Sequence, residues 1–148
     1  MTPDRLSVLK EMYDKIAQQR AEQLGIIQDC TESVNDALTG LAITKREAGN
    51  VIDADENTRR KLALVKNMLA ESEPKSKALA DEVDSLTSLQ AETKRRRDAE
   101  CKRLEVCQRK VQDSQAQLES AQKTLSEIEA KRDEIAALID RHQSISTA

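Results

Sequence analysis

A chain of 148 residues with one Tyr and neither Phe nor Trp lacks the aromatic material around which a globular domain of this size builds its core. Its 24 basic and 27 acidic residues leave a net charge of −3, so nothing global attracts nucleic acid or an anionic membrane. Leu, Ile, Val and Ala are plentiful beside only three Gly and two Pro, the composition of long helices rather than of disorder.

The first helix is expected to open at Thr2-Pro3-Asp4. Thr2 suits the N-cap, Pro3 the first helical position, and Asp4 the positive end of the helix dipole. From Leu6 onward apolar residues recur at alternating steps of three and four. With position a at every seventh residue from Leu6 and d three residues later, 14 of 20 a positions and 12 of 20 d positions are apolar. A period of 3.5 sustained over this length predicts an all-α, long coiled coil. Gly49-Asn50 followed by Asp53, Asp55 and Asn57 reads as helix-stop and then helix-cap residues, so the first helix, over residues 1–71, is expected to loosen near 49–57.

Pro74 stands at the centre of the chain, where a helix interior would lose a hydrogen bond and clash with the preceding turn at a cost of about 3 kcal/mol. Residues 72–77 are read as a turn, with Ser72 capping a second helix over 78–143 and a frayed tail at 144–148.

The charged core positions decide how the two arms pair. In a parallel, in-register dimer Arg20, Asp55, Arg97, Glu100 and Arg132 would each meet their own copy. Like charges about 4 Å apart repel by about 4 kcal/mol at an effective dielectric near 20, before snorkelling relieves part of it. Folding back at Pro74 instead makes facing core residues sum to 148. Leu62 then meets Leu86, Val65 meets Val83, Asp55 meets Thr93, and Arg97 lies one layer from Asp55. No layer pairs like charges, and large residues face small ones (Ala37 with Val111, Ile27 with Ala121). The expectation is an antiparallel two-helix hairpin, a rod of about 100 Å at 1.5 Å per residue.

Two surface features point to partners. The flanking e and g positions of the first arm carry Met12, Leu24, Ile26, Leu38, Ile52 and Met68, widening the apolar stripe beyond what one helix covers. Further helices are therefore expected to associate, from a second copy or from another coiled-coil protein. The run Lys94-Arg95-Arg96-Arg97, brought near Arg59, Arg60 and Lys61 by the fold-back, is a candidate docking patch for an acidic protein surface, set against the alternative of a solvated face balanced by neighbouring acids.

No grouping for nucleophilic catalysis, no glycine-rich phosphate loop and no tetrahedral metal set is legible, so neither catalysis nor a cofactor is expected. With the one aromatic, Tyr13, at a core a position and so none available to stack on bases, no nucleic-acid partner is expected either. No stretch approaches the roughly 18 apolar residues of a membrane span, and Met1-Thr-Pro-Asp-Arg lacks the apolar run of a signal peptide, so neither a span nor a leader is expected. Three cysteines form no disulfide framework, which suits a reducing compartment, the cytoplasm or the nucleus. The functional expectation is a non-enzymatic coiled-coil scaffold or assembly subunit of cytoskeletal, kinetochore, ciliary or trafficking machinery. In length and antiparallel shape the chain also resembles bacterial export-stalk proteins of the FliJ and YscO type. That resemblance is architectural, and it implies a hairpin serving a secretion ATPase. A parallel homodimeric spacer kinked at Pro74 is the third reading.

Overall fold

Two helices account for almost everything the computed structural model describes, residues 3–74 and 76–147. Helix α1 spans Pro3–Glu71 and α2 spans Lys77–Thr147, with no strand among the described residues. The expected cap at Thr2 and Lys75 of the expected turn lie outside them.

The heptad pattern explains which side chains leave water. Every a and d residue from Leu6 to His142 is buried or half-buried. Outside those positions only Ala17, Gly40, Ile52, Ala80, Cys101, Glu129 and Ala136 among the described residues share that status. Burying a Leu or Val side chain stabilises by about 1.5–3 kcal/mol, and the buried Leu62 and Val65 lie on this seam.

The chain divides into two units, each built from both helices. Unit 1 comprises Met1–Asp36 and Gln112–Ala148, and unit 2 is Ala37–Val111. In unit 1 Arg20 Nε donates to Glu129 Oε1 at 3.2 Å, and Gln23 Nε2 donates to the Ala121 carbonyl at 2.9 Å. Rising numbers on α1 thus meet falling numbers on α2. Unit 2 pairs in the same sense, with Thr44 Oγ1 3.4 Å from Cys107 Sγ and Glu47 bridged to Arg103 at 2.7 Å. Each unit is an antiparallel helix pair, and unit 2 contains the turn that makes it a helical hairpin.

That turn differs from expectation in its caps. Ser72 does not start α2; its hydroxyl donates to the Leu69 carbonyl at 2.8 Å and closes α1. The same oxygen accepts from the Ser76 amide at 3.3 Å. Ser76 is the cap of α2, its Oγ accepting from the Leu79 amide at 3.3 Å, three residues on. The Glu73–Pro74 peptide is cis.

Two further boundaries shift. Helix α1 runs unbroken through 49–57, because Ala48, Asp55 and Thr58 are all buried on the seam there and hold the helix against α2. Asp55 faces Thr93 and Arg97 instead of capping a new helix, and the Thr58 hydroxyl bonds the Ala54 carbonyl at 2.9 Å. At the other end α2 continues to Thr147 instead of fraying from 144.

Candidate protein-binding surface

Unit 2 holds the densest charge in the molecule, organised around one carboxylate. Position a places Asp55 in the seam, where it is 0% exposed. Its Oδ1 accepts from Thr93 Oγ1 at 3.1 Å, and its Oδ2 lies 3.1 Å from Arg97 Nη1 and 3.3 Å from Arg59 Nη2. Burial pushes the Asp55 carboxyl upward. Hydrogen bonds from Arg97 and Thr93, with the charges of Arg59 and Arg97, more than offset this and hold it below its ordinary value. The bond to Asp55 correspondingly raises Arg97 above the ordinary guanidinium value.

The seven cations of the expected patch therefore divide. Arg59 and Arg97 are committed to Asp55. Arg96 pairs with Glu92 one helical turn away at 2.9 Å, and Arg95 Nε donates to the Ala91 carbonyl at 3.4 Å. Arg60, Lys61 and Lys94 are exposed and form no ion pair with a described residue. One layer further, Arg103 bridges Glu47, which raises its guanidinium pKa, and lies 3.6 Å from Glu100 Oε1. Glu100 Oε2 is buried with no hydrogen-bond donor. A cleft of about 160 Å³ opens between Asn50, Val51, Ala54, Thr93 and Arg96, below the roughly 300 Å³ at which small-molecule pockets begin.

The flanking apolar residues lie on both sides of the seam. Met12, Leu24, Ile26, Leu38 and Met68 are exposed, and Ile52 is half-buried. Sequence reading passed over Val8, Ile43, Leu64, Leu89, Val106, Leu138 and Ile145, which are also exposed. They occupy heptad positions c and g, and extending the count of apolar residues to c, and to g of the second arm, finds them. No helix among the described residues is long and apolar enough to cross a membrane. Comparison with protein-family models, with curated proteins and with solved structures finds no match to this chain.

Proposed function

We propose that the protein is a non-enzymatic coiled-coil assembly subunit, holding other proteins through helix faces that its own hairpin leaves uncovered. One observation supports this most. The heptad core is fully used by the two helices, yet large apolar residues remain exposed beside it at Met12, Leu24, Ile26, Leu38 and Met68. A helix pair with no unmet partner gains nothing from apolar residues in water, and such faces recur where further helices dock. The open cations Arg60, Lys61 and Lys94 add a second contact suited to an acidic protein surface, which would govern encounter and orientation more than affinity.

Proximity labelling in cells tests this reading, comparing the wild-type chain with a Leu24→Glu, Leu38→Glu, Ile52→Glu variant and with an Arg60→Glu, Lys61→Glu, Lys94→Glu variant. A set of labelled proteins lost from the first variant and reduced in the second is expected. Identical labelling by all three chains would reject the surface as a binding site.

A further inference from the structure

The three glycines lie inside α1, where each costs a helix about 1 kcal/mol relative to Ala. A Cβ at Gly49 meets nothing within 4 Å beyond its own helix, so nothing in the chain's own packing requires a glycine there. Gly49 is exposed at heptad position b, beside the e positions that carry Leu38 and Ile52. The b and e positions form a second stripe at coiled-coil spacing, distinct from the a and d seam. In unit 1 that stripe runs from Ser7 through Lys10, Asp14, Ala17, Ala21, Leu24, Gln28, Thr31 and Asn35, with no charge from residue 17 to residue 35. In unit 2 it continues through Leu38, Ala42, Lys45, Gly49 and Ile52, one cation in that stretch, before the charged Glu56, Arg59 and Lys66. Leu24 is 39% exposed and Leu38 43%.

Charge supplies an independent observation. Unit 1 holds 8 basic and 14 acidic residues, a net of −6, whereas unit 2 holds 16 basic and 13 acidic, a net of +3. Parallel, in-register copies would set like against like. An antiparallel pair sets the acidic unit of each copy against the basic unit of the other, which favours that orientation at low salt.

We infer that the partner of this stripe is a second copy of the chain, with unit 1 of one copy packed antiparallel on unit 2 of the other. This deepens the assembly-subunit reading above and rests on it. One register satisfies both observations. Leu24 then packs on Gly49 of the second copy, and Ile52 of the second copy packs on Ala21, large against small in each case. Thr31 meets Ala42, and the Gln28 side-chain carbonyl can accept from Lys45. At the flanks Glu11 lies two residues from the level of Arg60 and Glu32 five residues from that of Arg46, about 3 and 7.5 Å along the axis and within reach of these long side chains, all four exposed and free of ion pairs with described residues. Glycine at position 49 lets the facing backbone approach closely enough for a leucine to seat.

Sedimentation equilibrium and cysteine pairing test this in a background with Cys30, Cys101 and Cys107 changed to Ala. A Leu24→Cys chain mixed with a Gly49→Cys chain is expected to form mainly the mixed disulfide, and the wild-type mass is expected to be that of two chains. Glu11→Lys with Glu32→Lys should weaken association by about tenfold, and adding Arg46→Glu with Arg60→Glu to the same chain should restore it. Circular dichroism on each variant confirms that the helices persist. A single-chain mass, or 24–24 disulfides in place of 24–49, would overturn the inference. Neither result touches the proximity-labelling outcome, which judges the broader reading separately.

Discussion

Asp55 and Thr93 lie 38 residues apart, and the turn after α1 brings their oxygens to 3.1 Å across the seam of unit 2. A fully buried carboxylate is held in the seam by its donors, so removing a donor should cost more than the lost bond alone. Arg97→Leu leaves Asp55 with Thr93 and the more exposed Arg59. Wild-type Asp55 has a depressed pKa, so its contribution is complete above the ordinary value near 3.8 and is lost as pH falls through the lower folded value. The Arg97→Leu chain loses the strongest of the interactions that offset burial, so the Asp55 pKa rises relative to wild type and its ionised form stabilises the fold less. Urea midpoints should therefore show the variant weakened most near neutral pH, with the deficit shrinking on acidification. A deficit constant from neutral pH to about pH 3 would show that Asp55 does not depend on Arg97.

Leu62 and Leu64 are separated by one residue and by nearly the whole range of exposure, at 5% and 61%. Leu62→Ala removes buried methyl groups from the seam and should lower stability by about 2–5 kcal/mol. Leu64→Ala, on the outer face, should stay within about 0.5 kcal/mol of wild type. Chemical denaturation of both variants gives the comparison, and equal losses would place Leu64 in an interface of its own.

Much of this fold is legible because the hydrophobic period and the core charges constrain the same pairing. Asp55 opposite Thr93 follows from folding at Pro74 in unbroken register, and Arg97 reaches Asp55 as its one-layer offset implies. Helix ends were less legible. Ser72 and Ser76 are chemically alike and four residues apart, and only the path of the turn decides which oxygen faces the Leu79 amide. Gly49-Asn50 reads as a stop locally, yet burial of Ala48, Asp55 and Thr58 against α2 outweighs the weak local preference. In the candidate surface, counting charges could not separate Arg97, committed to Asp55, from Lys94, which pairs with no described residue. That division depends on which heptad position each side chain occupies and on how far it reaches.

Gly25 is exposed at heptad position f, and a Cβ there meets nothing within 4 Å beyond its own helix. Gly25→Ala should therefore raise stability by about 0.5–1 kcal/mol, by narrowing the unfolded ensemble and favouring the helix. The thermal midpoint of the variant reads this directly. A lowered midpoint would mean that residue 25 meets an atom the isolated chain does not supply.

His142 is half-buried at a d position near the end of α2, and burial, with the nearby charges of Arg5 and Arg141, pushes its imidazole pKa below the ordinary 6.5. Folding therefore favours the neutral ring. Its contribution is complete above the ordinary value, and it declines as pH falls through that value, because the unfolded chain then takes up a proton that the fold resists. Amide protection in unit 1, corrected for the slower intrinsic exchange at lower pH, should fall as pH drops through the ordinary histidine value, well above the range in which Asp55 titrates. His142→Gln keeps a polar side chain without the titration, and should flatten this step while leaving the acid-range loss from Asp55 in place. If protection near residue 142 falls equally in the glutamine variant, the pH response belongs to carboxylates elsewhere in the unit.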